Sequence, residues 1–283
     1  MTLKDNQVDS SGSRPPTSIK LFGSAWRVGL VRVLLRSLGL DYHEVTKSIL
    51  RTKKNNDTDK TLLVTRRFPW GVDLVLDLAK ATDRGIYFDS LYEKHITHLF
   101  RRHVRPGDVC VDVGACVGYY TTMLAKIVGP SGLVVAFEPE SANYKMLVEN
   151  VTQNRLGNVK TYNLAVSNID AEVELCINPF NNGGHSLERP NDFKDKTVRV
   201  QAVRLDRFFA DQLPHAAPAW IKIDVEGHQK AVLEGMRRIL KRHRPHLVIE
   251  HPLSEVNKLE EFFADYKYVL DGLGSQDFHC YPS

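Results

Sequence analysis

Three carboxylates and one tight glycine turn are the residues of this chain best placed to do chemistry together. Asp112 interrupts the apolar run Val109 to Val113, and the turn Gly114-Ala115-Cys116-Val117-Gly118 follows at once. Glu138 ends a second apolar run, Leu133 to Phe137. It lies about twenty residues beyond the turn, where a Rossmann-type fold sets a carboxylate against ribose hydroxyls. Asp224 ends a third run, Trp220 to Ile223. Ligands of open parallel sheets bind beyond the carboxyl ends of the strands, so the three acids are expected along one sheet edge. Each could instead cap a helix. Gly114 supplies a turn conformation that a side chain would block, and Gly118 permits close approach of helix and strand.

The turn also discriminates between ligands. A dinucleotide fingerprint has a middle glycine that admits the pyrophosphate, and here Cys116 stands in that region instead. This disfavours an NAD-dependent oxidoreductase. Asp112 suits a cationic ligand better than a pyrophosphate. Asp-x-Gly-x-x-x-Gly followed by a strand-end acid resembles the first two motifs of class I S-adenosylmethionine (SAM) methyltransferases. His228 sits where the third strand meets its helix, beside Asp224 and Glu226. A helix N-terminus favours neutral imidazole, which suits a general base near pH 7, while the neighbouring carboxylates push the other way. His228 is therefore the expected base, with packing or capping as its bland alternative, and Asp224 is expected to orient the reactants. His185 and His251 are the next candidates. His95 and His98 form an i, i+3 pair with no third ligand nearby, so no metal site is expected.

The elements needed to position these groups can be read from periodicity. Tyr119 to Val128 reads as the helix after the turn and Ser141 to Asn154 as the next. Val159 to Val166 reads as a third core strand, and Ala171 to Ile177 and Thr197 to Val203 as further strands. Between these last two lies 178–196, a long loop rich in Asn, Gly and Pro and a candidate for substrate contact. A helix over Gln229 to Leu240, a strand over Leu247 to Glu250 and a closing antiparallel pair, Tyr266 to Leu270 with Phe278 to Tyr281, complete the pattern. Upstream, Thr61 to Thr65 and Val72 to Leu78 read as a strand pair, and Asp89 to His103 as a helix.

Composition sets the outer bounds. The chain has 283 residues, a net charge of +4 and four cysteines without metal spacing. These values fit a cytoplasmic α/β protein with reduced thiols and give no general nucleic-acid surface. Residues 1–20 are polar and expected to be disordered, with no signal-peptide pattern. Residues 21–84 read as an N-terminal extension and 85–283 as the main domain. Within the extension, 26–40 carries an apolar stripe interrupted by arginines. It is too short and too charged to span a membrane, and packing on the domain is favoured over membrane contact.

A longer set of motifs makes the resemblance specific. Arg105-Pro106-Gly107-Asp108, Asp112-Val113-Gly114-Ala115, Val117-Gly118-Tyr119-Tyr120, Phe137-Glu138-Pro139, Ala165-Val166-Ser167, Leu205-Asp206, Ile221 to Gly227 and Ile249-Glu250 occur in the order and spacing of the FkbM family. Over roughly Gly85 to Glu250 the chain resembles an FkbM-family SAM-dependent methyltransferase. The resemblance implies a Rossmann-like class I sheet, mostly parallel with an antiparallel closing strand and helices on both faces. It implies SAM as cofactor, held by Asp112, Gly114, Ala115, Cys116, Gly118, Glu138, Ala165, Val166 and Asp224. It further implies O-methylation of a hydroxyl on a sugar or natural-product acceptor. Two positions depart from the family pattern: Cys116 where Asn is usual, and Gln229 where Glu is frequent. A nucleotide-binding partner protein without activity is the competing reading of another class, which the intact acids and Gly114 disfavour.

Overall fold

The strand that carries Asp112 occupies the middle of the molecule. In a computed structural model, residues 61–283 are described, except Ser90, Phe180, 189–195 and Ser275. The readings for 1–20 and 26–40 lie outside the described residues. Twelve strands are described: β1 Leu63–Arg67, β2 Asp73–Asp77, β3 Val109–Val113, β4 Leu133–Phe137, β5 Val159–Tyr162, β6 Ala165–Val166, β7 Ala171–Cys176, β8 Thr197–Val203, β9 Pro218–Ile223, β10 His246–Glu250, β11 Tyr268–Gly274 and β12 Asp277–Pro282. Seven of them form one sheet in the order β5-β4-β3-β9-β10-β12-β11. Its five strands from β5 to β10 are parallel, and β12 is antiparallel to both β10 and β11. This is the expected parallel sheet with an antiparallel closing strand.

Strand alternation explains the two layers around it. Cys110 pairs with Val134 and Trp220, while Val111 pairs with Val135 and Ile221. Successive side chains point to opposite faces. The Cys110, Val134, Trp220 and Val248 face packs against α3 (Tyr119–Val128) and the β1–β2 hairpin. Helix α3 is buried from Tyr119 through Ala125, as a helix apolar on most of its circumference must be. The opposite face, with Val111, Val135, Ile221 and Leu247, is covered by α5 (Leu205–Gln212), α6 (Gln229–Glu234), α7 (Arg237–His243) and α8 (Val256–Phe263). Two earlier helices, α1 (Ala81–Phe88) and α2 (Lys94–His103), and α4 (Ser141–Gln153) complete the helical set. No described helix is long and apolar enough to cross a membrane.

Three elements differ most from expectation. The helix expected over Asp89 to His103 begins only at Lys94, because Glu93 just ahead of it is left-handed, φ +39°. The strand expected over Val159 to Val166 is broken after Tyr162. The Asn163 side chain reaches back to the end of β4, where Nδ2 donates to the carbonyls of Glu138 and Pro139 at 2.9 Å each. The chain then joins a separate three-stranded sheet, β6-β8-β7. The helix expected over Gln229 to Leu240 is also broken, between α6 and α7 at Gly235. A β-carbon there would stand 2.0 Å from the Ser167 carbonyl, so this close approach to the end of β6 requires glycine.

Candidate active site

Asp224 and Gly114 touch at the centre of the sheet edge. A β-carbon on Gly114 would fall 1.8 Å from the Asp224 carbonyl oxygen, and Gly114 has φ of +84°. The amides of Gly114 and Ala115 both donate to Phe137 O at 3.0 Å, and Asp224 N donates to Val113 O at 3.0 Å. The turn is thus pinned to the ends of β4 and β9. Gly118 meets the side chain of Leu147 on α4 rather than a strand backbone, with its virtual β-carbon 2.7 Å from Leu147 Cδ1. Cys116 also has a left-handed backbone, φ +48°. Asn adopts that region more readily than Cys.

Two clefts meet at this turn, and both are lined by Gly114, Cys116, Gly183 and Asp224. The first lies between the main sheet and the three-stranded one and opens to solvent, spanning about 510 Å³ with its open mouth included. Its walls include Phe137, Glu138, Ala165, Val166, Leu175 and His228. Glu138 accepts from Cys116 N at 2.8 Å and from Glu140 N at 2.9 Å. Burial pushes its carboxyl up to about 8, and those backbone donors pull back only part of the way.

The second cleft, about 760 Å³, is acidic. Strand register explains why. Asp112 lies directly opposite Lys222, which lies opposite Val248. Asp224 and Glu250, each two residues further along its own strand line, therefore project toward the same face. Glu93, in a left-handed conformation ahead of α2, adds a carboxylate that accepts from Tyr120 OH at 2.7 Å, and Glu226 supplies another. Lys222 Nζ donates to Asp224 Oδ2 at 2.7 Å and lies 4.8 Å above the Tyr120 ring. Burial alone would lower the Lys222 pKa, but Asp224, Glu93 and Asp112 outweigh it and the net shift is upward. Asp224 shows the mirror case: burial raises it, Lys222 outweighs that, and the carboxyl is held below its ordinary value.

The residues present fit a cationic amino-acid ligand at the turn. Asp112 is 1% exposed; its Oδ2 accepts from Thr121 Oγ1 at 2.6 Å, and its Oδ1 has no partner among the described residues. Of the residues expected in the site, Asp112, Gly114, Ala115, Cys116, Glu138, Ala165, Val166 and Asp224 all line one or both clefts. Gly118 shapes the turn beneath them.

The histidines divide between the first cleft and positions outside both clefts. His228 lines the first cleft, and both ring nitrogens are engaged, Nε2 with Ser167 Oγ and Nδ1 with Glu188 Oε1, each at 2.9 Å. His185 lines the same cleft and accepts from Asn178 N at 3.0 Å, while buried His251 bonds to Glu255 O and lines neither cleft. His95 pairs with Asp277 on β12 at 2.7 Å. Sequence reasoning did not single out Glu93, Lys222 or Glu250 for the site. It also passed over Asn182, whose Nδ2 donates to Asp83 and whose carbonyl accepts from Asn143, fastening the 178–188 loop beside the turn.

The methyltransferase FkbM domain matches residues 112–270, and the chain belongs to the FkbM methyltransferase family, whose methyl donor is SAM. The hexuronic acid methyltransferase AglP of Haloferax volcanii is 27% identical over 150 residues, covering 53% of this chain and 58% of that protein. The chain therefore spans less than two thirds of the length of that relative. An FkbM methyltransferase structure from Methylobacillus flagellatus is 19% identical, covers 62% of this chain and 43% of its own, and superposes with a TM-score of 0.43. The M. jannaschii TYW2 structure in complex with AdoMet is 17% identical over 78% of this chain and 84% of its own, with a TM-score of 0.45.

Proposed function

We propose that the protein transfers the methyl group of SAM to a hydroxyl of a sugar or natural-product acceptor. The observation that carries this reading is the meeting of an apolar and an acidic cleft at Gly114, Cys116 and Asp224. In this reading Glu138 receives the ribose hydroxyls, and Ala165 and Val166 pack against the adenine. Asp112 Oδ1 accepts from the ammonium of the amino-acid end. Bound SAM supplies an electrophilic methyl on a sulfonium, so the protein's main task is alignment of the acceptor with it. Asp224, common to both clefts and held ionised by Lys222, orients the reactants.

The charge of the second cleft supports an uncharged acceptor. Among its described lining residues Asp224, Glu93, Asp112 and Glu226 stand beside Glu250, which keeps its proton, and face a single cation, Lys222, which Asp224 already engages. Carboxylates accept hydrogen bonds from hydroxyls and repel anions. A neutral polyol fits this lining better than a phosphate chain or a uronate. The relative named for hexuronic acid supports a sugar-type acceptor, while the lining favours a sugar without its charge. Because both nitrogens of His228 are engaged, we assign it to holding Glu188 and Ser167 rather than to proton transfer.

The test is incubation with methyl-labelled SAM and a panel of neutral methyl glycosides, amino glycosides and uronates, followed by identification of labelled products. Transfer to a hydroxyl of a neutral glycoside is the expected result. SAM binding by calorimetry with no transfer to any acceptor, in the panel or in a cell extract, would instead favour a partner protein without activity.

A further inference from the structure

Elimination within the acidic cleft leaves one group able to take a proton from the acceptor. Asp112 is buried, with Oδ2 held by Thr121 Oγ1 and Oδ1 assigned above to the ammonium of SAM. Glu93 accepts from Tyr120 OH. Asp224 is tied to Lys222 and shares a carboxyl–carboxyl hydrogen bond with Glu250. Glu250 is pushed up to about 9, chiefly by burial and then by Asp224, so at neutral pH it holds a proton and can only donate it.

Glu226 differs from all of these. Its side chain has no hydrogen-bond or ion-pair partner among the described residues, and it stands at the water-facing mouth of the cleft. Oxygen atoms of Asp224, Glu226 and Glu250 lie within 4.8 Å of one another, so Glu226 is directly beside the group that both clefts share. The backbone is held there at a cost. Glu226 has φ of +47°, a left-handed conformation rarely adopted by Glu, and Gly227 follows at +101°. The Glu226 carbonyl accepts from Ser186 Oγ, which fixes that conformation from the 178–188 loop. Strained backbone held by surrounding structure is a recurring feature of reactive positions.

We propose that Glu226 is the general base of the transfer, taking the acceptor hydroxyl proton on its carboxylate. The proposal rests on the O-methylation reading above. As the acceptor oxygen forms its bond to the methyl carbon, the carbon–sulfur bond breaks and its electron pair stays on sulfur. The O–H electron pair stays on oxygen, and the proton passes to Glu226 and then to water at the cleft mouth. Charge balances, since a cationic sulfonium becomes a neutral thioether and one proton is released.

The electrostatic surroundings agree with this role. Enclosure by the cleft walls, and then the charge of Asp224, push the Glu226 carboxyl up to about 7, with Lys222 opposing. Glu250 beside it is protonated at that pH, and Glu188 lies across Gly227. A base is most effective when its pKa lies near the working pH, and neighbouring groups driven to different pKa values divide acid and base duties.

The experiment compares wild type, Glu226→Gln and Glu226→Ala with labelled SAM and the neutral glycoside that wild type methylates best. Glu226→Gln should lose about 100-fold or more in kcat, the usual scale of a general base. SAM affinity by calorimetry should stay within about threefold, and the limb of the pH profile near 7 should disappear. Added formate should restore part of the turnover of Glu226→Ala, which a structural role would not allow. Full turnover with the limb intact in Glu226→Gln overturns the assignment alone, as does a loss of turnover matched by an equal loss of SAM affinity. Absence of transfer by the wild type to every acceptor overturns the O-methylation reading and this assignment together.

Discussion

Lys222 and Asp224 stand two residues apart along one strand line, and their side chains meet at 2.7 Å beside the Gly114 turn. Lys222 is 4% exposed and faces Asp112 across the sheet. Removing one partner of a buried ion pair leaves an uncompensated charge, at a cost of about 3–5 kcal/mol. Lys222→Met should therefore lower the unfolding free energy by that amount at pH 7, read from a lower urea midpoint. Stability should partly recover at pH 5, where the orphaned carboxylates protonate. A variant as stable as wild type at pH 7 would show that the pair does not organise the cleft.

Gly114→Ala tests the contact next to it. The new methyl group would collide with the Asp224 backbone, which has no flexible end to yield, and the positive φ would be strained as well. SAM affinity should drop at least about tenfold, roughly 1.4 kcal/mol. Calorimetry showing unchanged binding would mean that the ligand does not use this turn.

Glu138 gives SAM binding a pH dependence whose sign can be worked out. Between its ordinary value of 4.5 and about 8, the folded protein retains a proton that the unfolded chain has released. Ionisation of this carboxyl therefore costs stability as pH rises through that window. Ribose hydroxyls donate to the ionised form, so binding expels the proton, and affinity should rise from pH 6 toward 8 and then level off. Titrations in buffers of different ionisation enthalpy should detect this proton. Glu138→Gln should remove it, and an unchanged proton release in that variant would place the ribose elsewhere.

His228→Ala separates anchoring from proton transfer. Loss of the Glu188 and Ser167 contacts should loosen the wall of the first cleft and weaken SAM binding several-fold, roughly the scale of one or two hydrogen bonds. The pH limb near 7 should survive. Its disappearance in this variant would return His228 to the role of base.

The parts of the fold written in contiguous residues were legible in the sequence. Strands β3, β4 and β8 and helix α3 begin and end where their apolar runs do, because glycine or polar residues bound them on both sides. The break at Asn163 was not legible. Apolar alternation continues through Leu164, and the interruption comes from carbonyls of Glu138 and Pro139 contributed by another strand end. Helix α1 has no apolar periodicity in its first half, Thr82-Asp83-Arg84-Gly85, to announce it; in the fold Asp83 accepts from Asp77 N and Asn182 Nδ2. The three strand-end acids could be read from position alone. Glu93 could not, since its left-handed turn ahead of α2 follows from tertiary packing.

The break at Asn163 bears on how the protein responds to its cofactor. The first cleft is a seam, with one wall on the seven-stranded sheet and the other on β6, β7 and the loop that follows. A molecule lodged there acts as a rivet between two sheets that share few hydrogen bonds of their own. Its binding free energy then enters the opening equilibrium of the smaller sheet, not only global unfolding. Amide protons of β7 and β8, remote from the methyl group, become the reporters of occupancy, exchanging more slowly when SAM is bound.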